Sequence, residues 1–217
     1  MTSTSPAYHR QVASEKRAAI LAAAMALFGE LGYHGTSLAR VADAANVSKA
    51  TLFKQFPTKD DLFAAIVTDY WDAGQGTERI PSPGDPRAGL TLFGTRYAEL
   101  LVQEQMVGLH RMVIAEAPRF PELARMQFDL GKAPFFDQVR SYLEVETEAG
   151  GLAVADATTA ATQFLGMISN VVLWPRLLLV DFKVTSADIS RVVDEAVETM
   201  LARYQRGPTG NPAQPDR

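Results

Sequence analysis

The chemistry this chain can offer is most concentrated in seven consecutive residues, Lys49-Ala-Thr-Leu-Phe-Lys-Gln55. As a helix they span about 10 Å at 1.5 Å per residue. Helical spacing turns Leu52 toward a core and leaves Lys49, Ala50, Thr51, Lys54 and Gln55 outward. Ammonium groups suit phosphate, and a carboxamide can bind phosphate or read adenine. The same two lysines also describe an ordinary solvated helix face, so this segment alone leaves both readings open.

Other chemistries find less support. His9, His34 and His110 lie far apart and show no His-x-x-x-His spacing for a metal. Glu144, Glu146 and Glu148 read as a solvated acidic helix end rather than an acid–base pair. The absence of cysteine excludes disulfides, thiolate zinc sites, iron–sulfur ligation and a Cys nucleophile. No Gly-x-Ser-x-Gly elbow, P-loop or dinucleotide fingerprint occurs. The expectation is a protein that is not an enzyme and holds no metal or cofactor.

The elements that position the seven residues are helical. Ile20, Leu21, Ala24, Leu27, Phe28 and Leu31 form one face of a helix from about Ser14 to Leu31. Leu38, Val41, Ala42 and Ala45 repeat at steps of three and four. Asn46 suits the left-handed residue that ends such a helix, and Ser48 suits the cap of the next. Two short helices with so tight a turn read as a helix-turn-helix, whose second helix enters the DNA major groove. After Pro57, Thr58 and Asp61 make a capping box for a helix reaching about Ala73.

Gly74–Gly89 holds four Gly and three Pro and reads as a loop. Helical stretches follow at about 88–105, 106–117, 120–131, 134–148, 155–173 and 186–205, then a Pro/Gly-rich tail. No repeat and no alternating run long enough for a sheet is present. With 47% hydrophobic and 21% charged residues the 217-residue chain has a globular composition. The first 60 residues carry net charge +3 and the rest -7, a basic head on an acidic body. The apolar runs Ile20–Phe28 and Val171–Val180 fall short of the roughly 18 residues of a membrane span, and the polar start lacks the core of a secretion signal. A cytoplasmic protein without membrane contact is expected.

Residues 14–71 resemble the N-terminal domain of the tetracycline-repressor (TetR) family of bacterial regulators. The resemblance lies in ILAAAMALFGELGYHGTSLARVADAANVSKATLFKQFPTKDDLF: an amphipathic helix, Phe-x-x-x-Gly-Tyr-x-x-Thr-Ser, Ala-x-x-Val-Ser and Leu-aromatic-x-x-Phe-x-x-Lys. It implies phosphate contacts from Thr36 and Ser37. It also implies a recognition helix opened by Ser48, Lys49 and Thr51, with Ala50 where the family often has Gly. Phe53 replaces a frequent Tyr and lacks its hydroxyl. Lys54 stands at a variable position, Gln55 at a frequent His, and Lys59 at a phosphate-clamping Lys. LHRMVIAEAPRFPELAR (109–125) and FLGM (164–167) are similar to the AefR-type subgroup.

The expected fold is therefore all-α: a three-helix helix-turn-helix head on a helical-bundle body that binds ligand and dimerises. The expected domains are 1-57 for the head, 58-206 for the body and 207-217 for a disordered tail. The resemblance implies a repressor released from double-stranded operator DNA by a small hydrophobic effector. The alternatives are a small-molecule-sensing dimeric module and an activator. Candidate effector contacts are Trp71, Phe93, Tyr97, His110, Met112, Phe128, Phe164, Met167, Asn170 and Trp174, though each aromatic is equally describable as core. A homodimer through helices about 155–173 and 186–205 is expected from stripes including Phe164, Leu165, Ile168, Val193, Val197 and Leu201. The other reading is that both stripes face their own core.

Overall fold

The computed structural model describes residues 6–73 and 82–205. Among them every regular element is helical, with one isolated bridge between Leu152 and Gln205. The order is α1 (Pro6–Gly35), α2 (Leu38–Ala44), α3 (Lys49–Gln55), α4 (Lys59–Ala73), α5 (Pro86–Leu101), α6 (Glu104–Glu116) and α7 (Pro121–Met126). A π-helical segment (Gln127–Lys132) leads into α8 (Ala133–Glu148), followed by α9 (Ala157–Val172), α10 (Trp174–Leu178) and α11 (Ser186–Tyr204).

These elements form two compact units. The first contains α1–α4, α6, α7 and the π segment. Its core joins Ile20, Leu21, Ala24 and Phe28 of α1 to Val41 and Ala42 of α2, Leu52 of α3 and Leu62, Phe63, Ile66 and Val67 of α4. The second contains α5 and α8–α11, with α5, α9 and α11 packed on one another. The grouping differs from a boundary at residue 57, because α4, α6 and α7 pack with the helix-turn-helix.

Several expectations require correction. Helix α1 begins at Pro6, eight residues before Ser14. The sequence before Ser14 shows no apolar period to announce these turns, and proline is well suited to a first helical turn. Within Gln11–Gly35 the same helix has an 18-residue window with a mean hydropathy of 1.2, enough by length and composition for a membrane-crossing segment. It does so on alanines rather than on a run of bulky residues, and Ile20, Leu21, Ala24 and Phe28 are buried in the first unit.

Helix α5 starts inside the expected loop, where the Asp85 carboxylate accepts from the Ala88 N–H and Pro86 fills the first turn. The rest of that loop, 74–81, and the tail 207–217 lie outside the described residues. Pro175 sits in the first turn of α10. Glu146 is not a solvated helix-end acid. It is fully buried and accepts from the Tyr142 hydroxyl at 2.7 Å and the Gly84 N–H at 3.1 Å.

The apolar stripes of α9 and α11 are turned into the chain itself. Phe164, Leu165, Ile168, Val193, Val197 and Leu201 are all buried there. The faces left outward carry small and polar residues: Thr158, Thr162 and Gly166 on α9, and Glu195, Thr199 and Ala202 on α11.

Candidate nucleic-acid interface and effector site

Ser37 caps α2, accepting the Arg40 N–H at 3.3 Å. The helix ends in a Schellman turn. Asn46 has φ 52°, its N–H donates to Asp43 at 3.2 Å, and the Val47 N–H donates to Ala42 at 3.0 Å. Asparagine tolerates this conformation, which the sequence pattern anticipates. Ser48 then caps α3, accepting the Thr51 N–H at 3.1 Å while the two hydroxyls lie 2.7 Å apart. Leu52 plugs α3 into the core, and Phe56 is buried beneath the Arg17 guanidinium at 5.2 Å.

That anchoring fixes what α3 presents. Ser48, Lys49, Ala50, Phe53 and Lys54 are exposed, and Thr51 and Gln55 are half-buried. Phe53 is 47% exposed. The helix carries no acidic residue. Its outward chemistry is two ammonium groups, hydroxyls, an amide and one ring face, a set suited to phosphates and base edges.

Two implied phosphate contacts are turned inward instead. Thr36 is buried, its hydroxyl donating to the carbonyls of Leu27 at 3.0 Å and Gly32 at 2.9 Å. It satisfies groups freed where α1 kinks at Gly32, whose φ is 72°. A Cβ at Gly32 would also meet the Glu116 carboxylate, which accepts the Tyr33 N–H at 3.0 Å. Lys59 donates to the carbonyls of Tyr33 at 2.6 Å and Thr36 at 3.0 Å, and sits 4.4 Å over the Tyr33 ring. Partial burial lowers its pKa, against the pull of Asp60 and Glu116. The Tyr33 hydroxyl donates to Asp60, and burial followed by that carboxylate pushes its own pKa up. The start of α4 is thus fastened to the α1–α2 corner. The expected Thr58–Asp61 capping box is present, with both backbone bonds at 3.0 Å.

The candidate effector residues divide between the units. Phe93, Tyr97 and Phe164 are buried in the second. Phe93 meets Tyr142 at 5.3 Å and Tyr97 stacks on Phe135 at 5.3 Å, so these rings are packed against each other. Burial pushes the Tyr97 hydroxyl up to about 12, with a hydrogen bond from Ser169 opposing it. Met167 is half-buried, and Asn170 and Trp174 are exposed. In the first unit Trp71 and Met112 are buried, whereas Phe128 is exposed beside the Lys132 ammonium. His110 is half-buried, with Nδ1 2.8 Å from the Met106 carbonyl. Burial lowers its pKa, the Met106 carbonyl opposes this, and Lys132 adds to the lowering.

One residue that the sequence pattern did not reveal stands out in the first unit. Gln127 opens the π segment, is 7% exposed, and neither amide atom has a hydrogen-bond partner. Gly131, four residues on, is also buried and admits the Trp71 indole: a Cβ there would lie 2.3 Å from Nε1. A buried polar group without a partner and a π turn are each features of functional sites. The sequence signal was faint: a Gln four residues before a Gly, in a stretch read as ordinary α-helix.

Two capped helices around a left-handed corner, the second showing a basic and polar face, define a helix-turn-helix protein with an otherwise all-helical body. The chain belongs to the tetR family of bacterial regulatory proteins. Residues 20–66 match that family, and residues 88–206 match the AefR-like transcriptional repressor C-terminal domain. The regulator RutR of Escherichia coli (strain K12) is 29% identical over 134 residues, which cover 60% of this chain and 56% of RutR. The chain thus spans little more than half of that relative. The repressor KstR of Mycolicibacterium smegmatis is 27% identical, covering 88% of this chain and 90% of KstR. The solved structure of the flavonoid-responsive regulator FrrA superposes with a TM-score of 0.69 at 28% identity, covering 90% of this chain and all of the other. The family and these relatives are transcriptional regulators, not enzymes.

Proposed function

We propose that this chain is a DNA-binding transcriptional repressor, acting as a cytoplasmic homodimer that leaves its operator when a small hydrophobic effector binds. The observation that carries this reading is the outward face of α3, where Lys49, Ala50, Phe53 and Lys54 are exposed on a rigidly capped helix without an acid. Repression is supported by the likeness to KstR, and an apolar effector by the likeness to the flavonoid-responsive FrrA. Ser37, Ser48, Lys49 and Lys54 take the phosphates, Ala50 and Phe53 lie toward the bases, and the half-buried Thr51 and Gln55 flank the backbone beside Lys54. Lys59 spends its ammonium on the Tyr33 and Thr36 carbonyls and fastens α4 rather than the DNA. Thr36 holds the corner from within.

Effector contacts are assigned to Trp71, His110, Met112 and Gln127 in the first unit. Trp71 lies near the end of α4 opposite Lys59, so an effector pressing on the indole shifts the helix that is fastened to the α1–α2 corner. The ligand acts only through differential affinity for the two states; a swing from 99:1 to 1:99 needs about 5.5 kcal/mol. Two copies pair through the outward faces of α9 and α11, placing their α3 helices in successive major grooves.

Fluorescence anisotropy with labelled DNA from upstream of the protein's own gene tests the reading. Saturable binding that survives unrelated competitor and weakens steeply with salt is the expected result. Binding that disappears with competitor on both this fragment and a randomised library would overturn it.

A further inference from the structure

We propose that the N-terminal part of α1 forms a second wall of the DNA interface, with one sugar–phosphate strand lying between α1 and α3 and held by Lys16 and Lys54. A cleft of about 460 Å³ runs there, lined by Val12, Ala13 and Lys16 from α1 and by Thr51, Lys54 and Gln55 from α3. Two lysines enter it and no carboxylate does. Both are exposed, and among the described residues neither is in an ion pair or hydrogen bond. The neighbouring Glu15 does not line the cleft and accepts instead from Gln11 at 3.0 Å.

The lining is mixed in a way that suits a deoxyribose–phosphate chain. Ammonium groups meet phosphate oxygens, the Thr51 hydroxyl and Gln55 amide supply hydrogen bonds, and the Val12 and Ala13 methyls face sugar carbons. A second observation points the same way. Between Gln11 and Ala19 no side chain of α1 is fully buried, so these turns keep most of their surface open. Arg17 is committed to the Phe56 ring, which holds those turns beside α3. A helix lying in the major groove has a phosphate strand along each flank. The cleft offers one of those strands its seat.

This inference rests on the DNA-binding reading, and the test separates the two. Full-length protein is titrated against a fluorescein-labelled mixed-sequence duplex between 50 and 200 mM salt. Lys16→Ala should lower the slope of log affinity against log salt by about 0.9, the value of one phosphate contact, as should Lys54→Ala. Lys16→Arg should restore it. Ala13→Glu, which puts a carboxylate into the cleft at an exposed position, should weaken binding more than Lys16→Ala at 50 mM salt. A Lys16→Ala slope equal to wild type, with Lys49→Ala still reducing it, would overturn the cleft and leave DNA binding intact. Wild-type protein with no salt-dependent binding would overturn both.

Discussion

Lys59 stands where the family resemblance implies a phosphate clamp, yet two of its three N–H donors end on the Tyr33 and Thr36 carbonyls. Lys59→Met keeps the apolar stem and deletes those bonds, so it should destabilise the fold by about 1–3 kcal/mol in urea denaturation. It should also change the salt slope of DNA binding less than Lys49→Ala does; an equal change would return Lys59 to the phosphate backbone. His110 gives a pH prediction. Its folded pKa is lowered, first by burial, so below the unfolded value near 6.5 the unfolded chain binds a proton that the folded one refuses. Stability should therefore fall as pH drops through about 6.5 toward the folded value. The fall should be smaller in His110→Asn. Identical pH profiles would refute the assignment.

At the scale of elements, the most legible feature was the turn between α2 and α3. Leu38, Val41, Ala42 and Ala45 mark the first helix and Ser48 the second cap, and Asn46 is one of few residue types that accept φ 52°. Asn46→Gly should leave stability within about 0.5 kcal/mol, while Asn46→Val should cost about 1–2 kcal/mol, measured by thermal melting. Equal melting temperatures would mean the corner relaxes. Legibility ended where exposed helix carries no apolar period, as in the first turns of α1, and where a π turn has the composition of an α-helix. Thr36 was misjudged for a related reason: a hydroxyl looks the same in sequence whether it faces phosphate or a freed carbonyl. Glu146 shows the converse, since nothing local announces that a Tyr and a distant glycine N–H enclose it.

For the whole molecule, the sequence marks the stripes of α9 and α11 as apolar and leaves two neighbours open, a second copy or the chain's own core, and they are buried in the latter. A single chain supplies both the core and the interface, and periodicity reports burial without naming what does the burying. With the stripes used internally, the pairing we propose falls to the small outward residues of α9 and α11. Nothing lies within 4 Å of a Cβ built at Gly166, so Gly166→Arg leaves the protomer's own packing untouched. It should yield folded monomers by light scattering, with unchanged helical circular dichroism and DNA binding weakened in step. A dimeric Gly166→Arg protein would exclude this face.

Gln127 has an implication for how such a protein could be improved. Its buried amide has no hydrogen-bond partner, a cost to the fold of about 1–3 kcal/mol. Gln127→Met, close to it in shape, should raise the melting temperature and, under the proposed assignment of Gln127 to the effector site, also abolish release from DNA by an effector. A population selected only for resistance to heat would drift toward that substitution and lose its sense of the environment, whereas one selected under alternating signal would keep the less stable glutamine. If Gln127→Met melts lower than the parent, the amide is satisfied by the fold and the trade does not exist.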